Sequence, residues 1–425
     1  MKADIVTLPN KLHVVLVDTK AFPTQTTILL VGAGSRYENK LNNGVAHFFE
    51  HMAFKGSKKY PNSFVISSTI ESLGGYFNAF TSKDHTGYWI KGTNEHFSTI
   101  IDVIADMVLN PLLIDEEIER EKGVIVEEIN LYEDTPYRKI GELFEEVLYR
   151  GNPLGYDIAG TKDTVTKFTR KTFVDYIAQL YHPKNAVLVV AGGFSKALDY
   201  KAIIEEKFQG WKNGKRGMFE KVQENQTKPQ VLIKHKKTEQ THFGLGFRAY
   251  PFSDKRKYAA SLLAAILGGG MSSRLFIEVR ERRGLCYYIS TNREAYEDVG
   301  NFVTHAGVTN NLTKTKEAIQ VILKEHSKVA AGDITKEEFI KAKELIKGRT
   351  LLSLEDSYNV STFFGTKLLL EGEIVSPAQM IGEVEKVSLD AVVSVAQDLF
   401  KPEKLNFAVI GPLEEGEITE ADLKL

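Results

Sequence analysis

The sequence predicts an α+β protein made of two copies of one unit of roughly 210 residues, each an antiparallel sheet packed with helices. Two internal echoes predict this. Phe173–Pro183, followed by Ala186–Ala191 and Gly192, matches Val392–Pro402, followed by Leu405–Ile410 and Gly411, on a shift of 219 residues. Both segments read as amphipathic helix, proline break, buried strand and glycine. Nearer the start, Gln25-Thr26 ahead of ILLVGAGS corresponds to Gln240-Thr241 ahead of FGLGFRAY. The polar, Gly/Pro-punctuated stretch 213–229 reads as a linker, so the expected domains are 1–212 and 230–425.

The elements follow in chain order. His13–Val17 and Thr26–Val31 have the period-two or continuous apolar character of strands, as does Ala186–Ala191. Gly74–Ser82 alternates after a glycine turn and reads as a strand. Thr99–Val108 and Lys316–Val329 read as helices. Helices and strands are grouped rather than alternating one for one, which favours α+β over a doubly wound sheet. With 425 residues the chain exceeds one ordinary core.

Composition sets outer bounds. Lys plus Arg number 54 against 56 Asp plus Glu, a net charge of −2, so no bulk field exists to hold nucleic acid. An apolar content of 43% with 26% charge is that of a globular protein, and no run reaches the ~18 apolar residues of a membrane span. The first twenty residues, MKADIVTLPNKLHVVLVDTK, show no apolar signal-peptide core. The expected location is cytoplasmic, with no membrane partner. Cys286 is the single cysteine, which excludes an internal disulfide and suggests a small packed side chain.

The chemistry concentrates in His47-Phe48-Phe49-Glu50-His51. On a helix, positions i and i+4 stack on one face and i+3 lies beside them. Two imidazoles so placed suit a zinc ion, with Glu50 free to take a proton from water. H-x-x-E-H is the inverzincin spacing, the reverse of H-E-x-x-H. Catalytic zinc takes three protein ligands, so a third must come from elsewhere. The segment Ile114–Tyr132 reads as a helix opened by Asp115 as N-cap, with Ile118, Ile125 and Ile129 as its apolar side. Glu121 and Glu128 stand two turns apart on one face, but composition and spacing do not choose among its glutamates.

Here the text resembles the M16 peptidases, the family of insulysin, pitrilysin and the mitochondrial processing peptidase. Their pattern is H-x-x-E-H, a long gap, then a ligand glutamate preceded seven residues earlier by another. Seventy-six residues separate His51 from Glu128, and Glu121 falls at the second position. The resemblance implies that His47, His51 and Glu128 bind one Zn2+ per chain. It makes Glu50 the general base and has Glu121 orient a histidine. Glu127, the nearest competitor, points about 100° away from Glu128 around the helix. The resemblance also implies the α+β fold of that family. It further implies that Asn78-Ala79-Phe80 belong to an edge strand to which substrate peptide adds. His85, just beyond, has no metal-spaced partner and reads as a turn or surface histidine.

In the second half, Leu267–Ser290 holds three consecutive glycines, Gly268 to Gly270, but no G-K-[ST] or Rossmann spacing, so nucleotide binding is not expected. The M16 resemblance places Arg280 and Tyr287 here as contacts to bound peptide near the scissile bond, Tyr287 toward a developing oxyanion. Tyr288 is the alternative phenol. Continuing the Gln-Thr register sets Leu262, Ala265 and Ile266 opposite His47, Glu50 and His51. Ala342 and Arg349 fall near the places of Glu121 and Glu128. The second copy is thus expected to keep the scaffold without the metal chemistry.

The leading expectation is a zinc endopeptidase hydrolysing unfolded peptides or precursor extensions. A non-catalytic M16-like scaffold or peptide-binding subunit is the alternative. Because one chain carries both the zinc motif and the arginine–tyrosine pair, the resemblance implies a homodimer enclosing a chamber.

Overall fold

Two sheets, most deeply buried in their central strands, organise a computed structural model that describes residues 2–215 and 217–425. The first contains β1 (Asp4–Thr7), β2 (His13–Asp18), β3 (Thr24–Val31), β4 (Tyr76–Thr81), β5 (Thr86–Thr93) and β6 (Ala186–Gly192), in the order β1-β2-β6-β3-β5-β4. The second contains β7 (Gln230–His235), β8 (Gln240–Ala249), β9 (Cys286–Ala295), β10 (Gly300–Thr309) and β11 (Leu405–Gly411), in the order β7-β11-β8-β10-β9. Strand for strand, β7-β11-β8-β10-β9 repeats β2-β6-β3-β5-β4. The sequence duplication is therefore a duplication of topology.

The sheets are mixed, not purely antiparallel as expected. β2 pairs with β6, and β11 with β7, in parallel, while the other ladders are antiparallel. The reason is geometric. β6 enters between β2 and β3, which run in opposite directions, and a strand so inserted must be parallel to one of its neighbours. The expected Gln-Thr register is also one residue out. Gln25 lies opposite Gly192, whereas Ile410 lies opposite His242, so the residue facing Gly411 is Thr241 rather than Gln240. Shifted by one, the counterparts of His47, Glu50 and His51 become Leu263, Ile266 and Leu267, which are buried apolar residues. The conclusion that the second copy lacks ligands is unchanged.

The compact units differ from the contiguous halves. One comprises Met1–Ile129, Tyr156–Glu220 and Leu351–Pro377; the other comprises Asn130–Gly155, Lys221–Thr350 and Ala378–Leu425. Each sheet has an apolar surface on both faces, and helices from its own half cover only one. In the first unit all seven residues of β6 are buried. One face of that sheet packs on helices Val45–Ala53, Phe97–Leu109 and Arg170–Leu180. The opposite face carries Val15, Ile28, Leu30, Val187 and Val189, and Val360 and Phe364 of helix Ser357–Thr366 cover it. In the second unit, Ile140, Phe144 and Val147 of helix Pro136–Leu148 cover Val303, Ala408 and Ile410 in the same way. Period alone cannot reveal which distant helix supplies the second layer.

The 213–229 stretch contains no helix or strand among its described residues, but it is fastened. Phe219 lies under the Arg36 guanidinium, 3.6 Å from ring centre to Cζ. Farther on, the Val222 N–H donates to Asp298 and the Gln226 side chain donates to the Leu405 carbonyl. No helix among the described residues is long and apolar enough to cross a membrane.

Close packing of helix Ser357–Thr366 on β3 and β6 depends on Gly365. A Cβ there would stand 2.4 Å from Leu30 Cδ1 and 2.9 Å from Val189 Cγ2. Gly365→Val is expected to lower stability by about 1–3 kcal/mol through overpacking, read as a shifted denaturation midpoint.

Candidate metal centre

The histidines ride on α1 (Val45–Ala53), which turns Val45, Phe48, Phe49 and Met52 into the core. Its start is fixed from two sides. Gly44, the N-cap, has φ +99°, and a Cβ there would lie 2.7 Å from the Ala159 carbonyl oxygen. The buried Glu38 accepts hydrogen bonds from the backbone N–H groups of Gly44 and Ala46, both at 2.8 Å, and from the Asn43 side chain at 2.9 Å. Burial pushes the Glu38 carboxyl up to about 8 despite these donors and Lys83.

The third donor comes from α2 (Asp115–Glu133), which starts on Asp115 itself rather than using it as a cap, with Asp115, Glu116 and Glu117 in its first turn. Ile118, Ile125 and Ile129 are buried as expected, and Glu121 is buried with them. The helix is aimed by a tight approach. Leu113 takes the left-handed φ of +51°, an uncommon conformation for leucine. Next to it the Leu112 N–H donates to the Gly56 carbonyl at 3.0 Å. The end of α1 and the start of α2 are thereby held together.

His47, His51 and Glu128 converge. Glu128 Oε2 stands 3.6 Å from His47 Nε2 and 3.5 Å from His51 Nε2. Each residue offers a ligand atom within 4.8 Å of the others. Ligands at zinc distances in a tetrahedron lie about 3.4 Å apart, close to both separations from Glu128, so this donor set is of a kind that fits the ion. Glu127 does not belong to the cluster. His51 Nδ1 bonds Glu121 Oε1 at 2.8 Å, and Glu121 Oε2 pairs with Lys55 Nζ at 2.5 Å. Burial opposes ionisation of Glu121, but the bonds from His51 and Lys55 outweigh it and hold its carboxyl below the usual range. An ionised Glu121 accepts a hydrogen bond from Nδ1–H of His51, which leaves the Nε2 lone pair for the cluster. Burial, reinforced by His51, lowers His47 to about 4, which keeps its imidazole neutral, the form that coordinates. Its Nδ1 is buried without a hydrogen-bond partner among the described residues.

Glu50 is not in the donor set. Its Oε2 accepts the Thr81 hydroxyl at 2.6 Å. Burial raises its carboxyl, against the Thr81 bond and His51, so it is poised to hold a proton. Thr81 closes β4, the strand that carries Asn78, Ala79 and Phe80, and β4 is the terminal strand of its sheet. His85 is half-buried in the following turn, bonded to Ser82 and edge-on to Phe80, and does not join the metal cluster.

Arg280 and Tyr287 belong to the second unit, and the structure brings them together. The Arg280 guanidinium stands 5.6 Å from the Tyr287 ring centre, between a π-helical turn, Phe276–Glu281, and the start of β9. Tyr287 is 73% exposed. Tyr288 instead bonds His242 Nδ1 at 3.0 Å and packs on Tyr137, so its hydroxyl is already engaged. Cys286 is buried, and burial raises its thiol to about 11. Sequence reasoning did not single out Glu38, Lys55 or Thr81. For Thr81 a signal existed, since it closes the N-A-F-T run. For Glu38 and Lys55 the partners became visible only in three dimensions.

Comparison with known proteins shows the family. The family description "Insulinase (Peptidase family M16)" matches residues 13–162, and "Peptidase M16 inactive domain" matches residues 167–346. A Bacillus subtilis protein described as an uncharacterized zinc protease is 34% identical over 96% of this chain and 97% of its own length. A Streptomyces coelicolor protein of like description is 32% identical over 96% of this chain and 89% of its own. Among solved structures, a protease from Helicobacter pylori superposes with TM-score 0.89 at 24% identity, covering 97% of this chain and 99% of that one. That likeness is one of fold.

Glu121→Ala is expected to weaken zinc binding about 10–100-fold, measured by competition with a chromogenic chelator. Glu38→Ala leaves buried donors at the start of α1 unsatisfied and is expected to cost about 1–3 kcal/mol in a denaturant melt.

Proposed function

The chain belongs to the M16 insulinase family of peptidases, and from that membership we propose that it is a zinc-dependent endopeptidase acting on unfolded peptides or precursor extensions. One observation carries the reading: two imidazoles and a carboxylate bring their ligand atoms within 4.8 Å of one another, beside a half-buried Glu50 that stays outside the set. The names of the curated relatives support zinc over other divalent ions, as does the mixed nitrogen–oxygen donor set. When bound, zinc supplies Lewis acidity that polarises a carbonyl and makes water nucleophilic at neutral pH.

The chain's residues supply the rest. His47, His51 and Glu128 would hold the ion. Thr81 occupies Glu50 Oε2, so Oε1 faces the task of taking a proton from the attacking water. The same carboxyl then returns it to the leaving amine, which is why no covalent intermediate is required. Substrate is proposed to pair with the outer edge of β4, where main-chain hydrogen bonds read backbone and tolerate many side chains. Asn78, Ala79 and Phe80 line that edge, and Thr81 couples its end to Glu50. Arg280 and the exposed Tyr287 are assigned to contacts with the bound peptide, and a homodimer is part of this reading. The alternative, a scaffold or peptide-binding subunit, is disfavoured by the intact ligand set.

Glu50→Gln is expected to retain stoichiometric zinc yet lose turnover of a quenched fluorescent peptide by orders of magnitude. His51→Ala should lose metal and activity together, by elemental analysis and the same assay. Full activity in Glu50→Gln would remove this mechanism. Sedimentation of the intact protein is expected to give a dimer mass.

A further inference from the structure

The second unit repeats the helix pair of the metal centre without its ligands. There α3 (Lys257–Gly268) follows β8 as α1 follows β3, and α4 (Lys336–Ser353) follows β10 as α2 follows β5. The pair encloses a cavity of about 400 Å³. Ala265 and Ile266 of α3 and Ala342 and Leu345 of α4 form its apolar wall. In the position that Glu128 suggests for the repeat, α4 carries Arg349, so the sign of the charge at this end is reversed.

Three polar features distinguish the cavity from a packing defect. Ser273 in its wall is only 4% exposed, and its hydroxyl has no hydrogen-bond partner among the described residues. Arg349 is exposed at the rim and makes no ion pair among the described residues, and a Cβ on Gly270 would stand 3.4 Å from its Nη2. Lys341 adds a second cation, donating to the Ser272 carbonyl at 2.6 Å. The one acidic lining residue, Glu338, is already neutralised by Arg274 through bonds of 2.6 and 2.8 Å. The remaining charge is positive, beside an apolar wall and an unsatisfied buried hydroxyl.

We propose that this cavity binds a carboxylate attached to an apolar group, such as the C-terminal residue of a peptide. Arg349 takes the carboxylate in its planar fork, Ser273 donates a hydrogen bond, and Ala265, Ile266 and Leu345 receive the side chain. The glycines Gly268–Gly270 let the chain turn close beside the site, which gives that run a role without a nucleotide. The site stands independently of the peptidase reading, because its lining residues belong to the second unit and His47, His51 and Glu128 to the first.

The test is calorimetric titration of the whole protein with N-acetyl-leucine, N-acetyl-leucine amide and inorganic phosphate, with zinc present and after chelation. Saturable binding of the acid is expected, at least about tenfold tighter than the amide and unaffected by chelation. Arg349→Met should abolish it. Ser273→Ala should weaken it several-fold while leaving thermal stability unchanged or raised, since the orphaned hydroxyl is gone. Equal binding of acid and amide, full binding by Arg349→Met, loss on chelation, absence of saturable binding, or phosphate matching the acid would each overturn the proposal.

Discussion

The bond between His51 Nδ1 and Glu121 is the constraint on which the centre depends. It crosses from one helix to another, and it is fixed at both ends: Lys55 holds the second oxygen of Glu121, and the backbone of α1 holds His51. A neutral imidazole can carry its proton on either nitrogen. By accepting at Nδ1, Glu121 settles that choice and leaves Nε2 directed at Glu128 and His47. Without it, three donors would still be near one another, but one imidazole would have no reason to present a lone pair. The left-handed turn at Leu113 and the N–H of Leu112 on Gly56 do for the helices what Glu121 does for the ring.

Duplication explains why a chain with one candidate metal centre among its described residues has two nearly equal sheets. The strand orders agree position by position, including the odd parallel pair, so both copies obey one folding rule. Divergence fell on the helices that follow β3 and β5 in the first copy and β8 and β10 in the second. In one copy they carry imidazoles and carboxylates around a point. In the other, Ala342 and buried aliphatic residues leave open volume, with Arg349 replacing negative charge by positive.

The candidate site was largely legible because its signal is local and chemical. H-x-x-E-H states its own geometry: helical periodicity sets two imidazoles one above the other and puts Glu50 beside them. Glu128 is farther off, and spacing alone left several glutamates equivalent; resemblance separated them, and the distances to both Nε2 atoms agree. Thr81 and Lys55 were not marked because threonine and lysine are common and ordinarily solvated. Only their placement beside Glu50 and Glu121 gives them meaning. The register of the repeat slipped by one because a Gln-Thr pair is weak text. Backbone pairing of Gly192 with Gln25 and of Ile410 with His242 is a stronger ruler.

Taken by itself, the order of residues determined the two-copy α+β plan, the strands with continuous apolar character and the helix that carries both imidazoles. Each of these follows from short-range periodicity or from side-chain chemistry within a few turns. Tertiary structure alone decided which distant helix covers the second face of each sheet, that β6 and β11 run parallel to one neighbour, and that Glu38 anchors the start of α1. Those outcomes depend on contacts between segments far apart in sequence. Such contacts are selected by the burial of whole surfaces and by the pairing of buried polar groups, and local pattern does not encode them.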